Sequence, residues 1–213
     1  MEDLPKYDFP RDDVMRVVPP SARRLLDVGC GGGGFGRNLR GKLPNLEIHG
    51  IEPDAVSARA AGRAGYDEVA VGYFPDALSG LPSTKYDVVC FNDVLEHMPK
   101  PDAALQTART LLEVGGTLIV SVPNVRNWSV WLPLLRRGRW DYTEQGILDS
   151  THVRFFTRGT IRELLEASGW QVHEIVGVNH NGQGRKNLVR VLGGARLQDF
   201  FWQQFVVTAS IAN

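Results

Sequence analysis

The stretch that most constrains this 213-residue chain is residues 25–36, LLDVGCGGGGFG. Leu25 to Val28 is a short apolar run holding one carboxylate, Asp27, and reads as a buried strand. Six glycines follow within eight positions, and Phe35, Leu39 and Leu43 then keep helical spacing until Pro44 stops it. Glycine lets the backbone turn tightly and approach a ligand, and a helix N-terminus offers unpaired N–H groups. A strand, a glycine turn and a helix therefore make a nucleotide-binding corner. The plain alternative is a glycine-rich surface loop.

Two fingerprints overlap in this corner. Gly31-x-Gly33-x-x-Gly36 fits the dinucleotide pattern, with Glu52 near the place of its ribose-binding acid. Asp27-x-Gly29-x-Gly31-x-Gly33 fits another, the acidic-then-glycine signature of class I S-adenosylmethionine-dependent methyltransferases. The carboxylate separates them. Asp27 would repel a pyrophosphate, whereas S-adenosylmethionine brings an ammonium and a sulfonium that a nearby carboxylate favours.

The chain is long enough for one well-buried α/β domain over 1–213 and short for two. Lys+Arg and Asp+Glu are both 24, so no global charge steers it toward nucleic acid or acidic membranes. Cys30 and Cys90 fall at expected strand ends and read as reduced thiols of a cytoplasmic protein. The charged, proline-bearing start argues against a signal peptide, and no apolar run approaches a membrane span.

Residues 1–20 read as an extended N-terminal arm. Tyr7 and Arg11 either fold over the cofactor pocket, the arginine meeting a carboxylate, or stay on the surface with no ligand contact. Beyond the corner, expected strands lie at 46–53, 67–73, 86–91, 117–124, 170–178 and 204–212. Helices are expected after Asp54, after Asp102 and after Thr157, each named residue serving as a cap, and residues 186–201 also include helical spacing. This alternation predicts a doubly wound, mostly parallel sheet, closed by a hairpin at its edge, with ligands at the strands' carboxyl ends. Residues 125–156 break the alternation with Trp128, Trp131, Trp140 and the basic RRGRW, and read as a lid-like insertion over the acceptor site. Its aromatics either pack the lid onto its own domain or meet an apolar, lipid-linked acceptor, with Arg136, Arg137 and Arg139 near phosphates.

LLDVGCGGGGFG, the acid in GIEP, NDVLEH followed by GGTLIVSVPN, and THVRFFT together resemble the class I methyltransferases. The nearest group is that of the ubiquinone-biosynthesis O-methyltransferases. The resemblance implies a Rossmann-like seven-stranded sheet with helices on both faces and an antiparallel last strand inserted beside its neighbour. It implies S-adenosylmethionine as cofactor, its methionine end over Asp27, Gly29 and Gly31, with Cys30 and Gly33 also among the cofactor-binding residues. Glu52, followed by Pro53, would take the ribose hydroxyls, and Asn92 and Asp93 would close over the methionine moiety. Many relatives place an acid beside the adenine just after the third strand. Here the stretch is VGYFPDAL, leaving Tyr73, Phe74 or Asp76 for that place.

A sulfonium methyl is already activated, so such a site mainly aligns an acceptor and excludes water. A hydroxyl acceptor must also lose a proton, for which a neutral histidine serves near pH 7. His97 and His152 are the candidates, Asp149 standing where it can orient the His152 ring; the alternatives are a structural His97 and a plain polar turn at Asp149–His152. Arg154, Trp128 and Asn124 are the candidate acceptor contacts. No Asp/Glu/His/Cys group has metal-ligand spacing, so no metal is expected. The partner expected is a small-molecule methyl acceptor, with no nucleic acid and no membrane span. A nicotinamide-dependent oxidoreductase and a catalytically idle cofactor-binding protein are the competing readings.

Overall fold

The computed structural model describes residues 7–82, 85–180 and 198–212. Its strands are β1 (Arg24–Val28), β2 (Glu47–Glu52), β3 (Glu68–Val71), β4 (Tyr86–Asn92), β5 (Leu112–Pro123), β6 (Trp170–His180) and β7 (Trp202–Ile211). They form one sheet in the order β3-β2-β1-β4-β5-β7-β6. The pairs from β3 across to β5 are parallel, and β7 runs antiparallel to both β5 and β6. The helices are α1 (Asp12–Met15), α2 (Gly34–Lys42), α3 (Ala55–Ala64), α4 (Pro101–Leu111), α5 (Trp128–Arg137) and α6 (Arg158–Ala167).

Alternation along the strands sorts the core into two layers. Leu26, Val28, Phe91, Leu118 and Val120 pack on the side that takes α4 and α6, through Leu105 and Ile161. Leu25, Ile48, Val88, Cys90 and Ile119 face α1, α2 and α3, through Val14, Leu39 and Ala61. Both faces are covered, which is why the central strands read as near-continuous apolar runs.

Several local expectations change. The arm is not extended throughout: α1 buries Val14 and Met15, because Arg11, just before it, is bracketed by Asp13 and the distant Asp93. Asp54 caps α3 and Thr157 caps α6 as expected. Asp102 caps nothing, since Pro101 already occupies the first helical position and Asp102 sits in the first turn. Leu112 is already extended, so β5 begins before Gly115-Gly116. The insertion contains a helix, α5, capped by Asn127 and ended by Gly138 in the left-handed region. Within 186–201, the stretch 186–197 lies outside the described residues.

Gly36 shows how tightly α2 meets the sheet. A Cβ there would lie 2.1 Å from Cε2 of the buried Tyr66. Gly36→Ala is expected to cost about 1–3 kcal/mol by overpacking, read as a lower thermal midpoint; an unchanged midpoint would contradict this packing.

Candidate active site

The carboxyl ends of β1, β2, β4 and β5 open into a cleft of about 1880 Å³, large against the roughly 300–1,000 Å³ of a single-ligand pocket. Two reactants therefore have room. The floor is the glycine corner. Gly29 (φ +75) and Gly31 (φ +53) adopt left-handed backbone, and a Cβ on Gly29 would strike Val94 Cγ2 at 2.5 Å. Gly33 (φ +89) is left-handed as well and has a second reason to be glycine: its Cβ would lie 2.6 Å from Ala61 Cα, so it permits α2–α3 packing and does not line the cleft.

Asp27 lies under the corner, 1% exposed. Tyr66 Oη donates to its Oδ2 at 2.6 Å and Asn92 Nδ2 donates to its Oδ1 at 3.1 Å. Burial pushes its pKa up to about 7, against the pull of these two donors. Glu52, at the end of β2, is held by the N–H groups of Gly31 (2.9 Å to Oε2) and Asp54 (3.0 Å to Oε1). Both oxygens keep a second lone pair, the acceptor pair a ribose diol requires. Cys30, Pro53 and Asn92 also line the cleft. Of the residues considered for the adenine end, Tyr73 and Phe74 do so and Asp76 does not.

Arg11 crosses the mouth of the cleft. Its guanidinium donates to Asp13 at 3.0 Å and to Asp93 at 2.5 Å, so the arm meets a carboxylate and joins the pocket wall. Asp93 also accepts from Ser121 Oγ (2.8 Å) and Gln204 Nε2 (3.0 Å). It lines the cleft, and its carboxylate is committed to holding the arm and β7.

On the same cleft the short turn Leu95–His97 meets the loop 147–152. Val153 and Arg154 donate their backbone N–H to Glu96 O at 2.9 and 3.0 Å, which docks the two segments. One ligand atom each from Glu96, His97 and His152 then lies within 4.8 Å of the others. A group of this kind was not expected from the sequence. Glu96 is 1% exposed and, among the described residues, neither carboxylate oxygen has a hydrogen-bond partner. Burial, and then the nearby Asp93 carboxylate, push its pKa well above the ordinary carboxylate value.

The expected Asp149–His152 pair does not form. Asp149 Oδ1 instead accepts from Thr151 Oγ1 (2.6 Å) and Thr151 N (2.8 Å), because the turn brings its carboxylate back onto its own chain. His152 Nδ1 donates to Ile147 O at 3.1 Å, while Nε2 lies 4.0 Å from Glu96 Oε1. The His97 and His152 rings meet edge-on at 4.7 Å. Burial, then His152, lowers the His97 pKa, so that ring is neutral at pH 7.

The three expected acceptor contacts all lie off the cleft lining. Asn124 is fully buried and its Nδ2 donates to Asp199 O (2.6 Å) and Trp202 O (2.8 Å), pinning the start of β7. Arg154 donates to Pro99 O, and Trp128 is 40% exposed on the outer side of α5. Glu96, missed in the sequence, had one local signal: it adjoins His97 in a turn directly after a strand. Asn124→Ala is expected to destabilise the fold by about 1–3 kcal/mol through stranded carbonyls, with ligand affinity retained. Denaturant unfolding beside a ligand titration checks both halves.

This geometry can be set beside known proteins. A family model described as a methyltransferase domain matches residues 5–175. The chain is 28% identical over 170 residues to a ubiquinone biosynthesis O-methyltransferase of Paraburkholderia phytofirmans, covering 76% of this chain and 70% of that one. A protein of the same name from Burkholderia ambifaria is 28% identical over 172 residues, covering 73% and 71%. Among solved structures, a SAM-dependent methyltransferase from Archaeoglobus fulgidus shares the fold with a TM-score of 0.64 at 18% identity, covering 89% of this chain and 86% of that one. The plantazolicin methyltransferase BamL, solved with SAH, gives 0.63 at 15% identity, covering 90% and 78%. A sheet with an inserted antiparallel β7, a glycine corner over a buried aspartate and a family match across most of the chain agree: it belongs to the methyltransferase-domain family and is an S-adenosylmethionine-dependent methyltransferase.

Proposed function

We propose that the chain transfers the methyl group to a hydroxyl oxygen of an apolar small molecule. The observation that carries this reading is the Glu96–His97–His152 cluster on the wall of the cofactor cleft, a proton-accepting group where O-methylation needs one. The names of the O-methyltransferase relatives support the same choice. Val130, Pro133, Ile147, Leu148 and Trp202 line the cleft and suit an apolar acceptor.

The cofactor fits the corner, because Gly29 keeps the floor free of a side chain and Glu52 is already oriented by two backbone donors. When bound, it supplies a methyl group activated on a sulfonium. Asp27 faces its positive end, and Glu52 accepts from the ribose hydroxyls. The protein's remaining task is to hold the acceptor oxygen in line and accept its proton. His97 is the base in this reading: its Nδ1 is engaged by Thr151, and Nε2 keeps a lone pair.

The oxygens of Glu96, without a hydrogen-bond partner among the described residues, favour a second reading of the same step. A divalent cation facing them and the two histidines would lower the pKa of the acceptor hydroxyl in place of a base. Turnover that survives exhaustive chelation would reject the cation; loss restored by added Mg²⁺ or Zn²⁺ would support it.

Two outcomes are expected. His97→Ala should lose about 10²–10⁴-fold in turnover while S-adenosylhomocysteine affinity survives, with His152→Ala losing less. Homocysteine production with a hydroxyl acceptor measures this, and near-normal turnover in His97→Ala would remove its role as base. For Asp27, with its pKa about 7, an ammonium-bearing ligand favours the ionised form. S-Adenosylhomocysteine affinity should therefore rise from pH 6 to 8, with proton release on binding, and level off above. Calorimetry in buffers of different ionisation enthalpy reads the proton, and Asp27→Asn should abolish the release.

A further inference from the structure

We propose that Asp149 and Thr151 are positioning residues that lock His97 in the tautomer with its proton on Nδ1, leaving Nε2 as the nitrogen that can accept a proton or bind an electrophile. This rests on the reading above, in which His97 acts on the acceptor hydroxyl, and adds the groups that prepare it.

The direction of each hydrogen bond follows from counting protons. Thr151 has one hydroxyl proton. Its Oγ1 lies 2.6 Å from Asp149 Oδ1, and the same carboxylate oxygen accepts the Thr151 N–H at 2.8 Å. Burial works against the Asp149 charge, but the two Thr151 bonds prevail and hold its pKa below the usual range. An ionised carboxylate only accepts, so the Thr151 hydroxyl donates to Asp149. Its oxygen is then an acceptor toward His97 Nδ1, 3.1 Å away. The Thr151 carbonyl, 3.4 Å from the same nitrogen, is also only an acceptor. Two acceptors facing one ring nitrogen require the proton to be there.

The relay spans two chain segments and is held in register. Its two ends are joined by the backbone bonds of Val153 and Arg154 to the Glu96 carbonyl, the residue directly before His97. His152 is set in the same tautomer by a different acceptor, Ile147 O. Both rings therefore carry their lone pair on Nε2, and that of His152 lies 4.0 Å from Glu96 Oε1, whose carboxylate has no hydrogen-bond partner among the described residues. Orienting a histidine through the hydrogen bond of its other nitrogen is a general device of reactive and ligand-binding histidines. The threonine hydroxyl serves here as the link between carboxylate and ring.

The test reads the tautomer directly and needs no acceptor. Ring ¹⁵N spectra of the protein saturated with S-adenosylhomocysteine at pH 8, with His97 assigned by comparison with His97→Gln, should show protonated Nδ1 and unprotonated Nε2. Thr151→Val should shift the His97 signals toward the other tautomer, and Thr151→Ser should restore them. Asp149→Ala reads the same relay from its other end, through a hydroxyl freed to donate to Nδ1, so one misfolded variant does not decide the outcome. S-Adenosylhomocysteine affinity should stay within about twofold in the folded variants. A wild-type ring protonated on Nε2, or an unchanged pattern in Thr151→Val and Asp149→Ala, would overturn the proposal. The functional reading fails separately, through full turnover of His97→Ala, since the tautomer is measured without turnover.

Discussion

A carboxylate buried at the centre of the sheet organises the glycine corner of this protein. Asp27 sits between Gly50 and Cys90 of the neighbouring strands, where an uncompensated charge would be expensive. Tyr66 and Asn92 reach it from opposite sides, one from the turn after α3 and one from the end of β4. Tyr66 can arrive because Gly36 has no side chain in its path, and α2 lies close against α3 because Gly33 has none either. The glycine run therefore serves two ends at once. Some glycines clear space for a ligand, and others let protein approach protein so that the charge beneath the ligand is held.

The cleft wall formed by the turn Leu95–His97 and the loop 147–152 depends on a second buried acid with the opposite surroundings. Among the described residues Glu96 has no hydrogen-bond donor on either carboxylate oxygen, while its carbonyl is clamped by two backbone N–H groups from the segment after His152. The clamp brings the loop 147–152 against the turn that carries His97. The insertion is thus anchored at both ends: Asn124 and Asn127 tie its start to Trp202 O, and Glu96 O ties its far end. Between these anchors α5 leaves Leu135 72% exposed, whereas Val130 beneath it is buried. Its aromatics are divided in the same way: Trp131 meets Phe200 edge-on, and Trp128 stands outward.

Charge is also what closes the arm over the cleft. Arg11, 11% exposed at its side chain, sits between Asp13 and Asp93, and Asp93 links it onward to Ser121 and Gln204. A positive group fits at that mouth because the carboxylates of Asp13 and Asp93 face it directly, with Glu52 on the same cleft. The reading of Arg11 as an arginine that meets a carboxylate was open from sequence, but its partner was not nameable there.

What the sequence determined by itself is what local pattern encodes. The glycine corner, the alternation of apolar strands with helices, the caps at Asp54 and Thr157 and the placing of Asp27 and Glu52 at strand ends all follow from spacing within a few residues. The inserted position of β7 was legible only through family resemblance. The tertiary structure alone decided that Asp149 serves Thr151 and not His152, that Asn124 is a pin under β7, and that Glu96, with no hydrogen-bond partner among the described residues, lies beside two histidines. The reason lies in sequence separation. His97 and Thr151 are 54 positions apart, Asp27 and Asn92 are 65, and Asn124 and Asp199 are 75. Side-chain polarity can be read one residue at a time. Which donor faces which acceptor across such distances is settled only when the packed chain brings them together and excludes the water that would otherwise satisfy both.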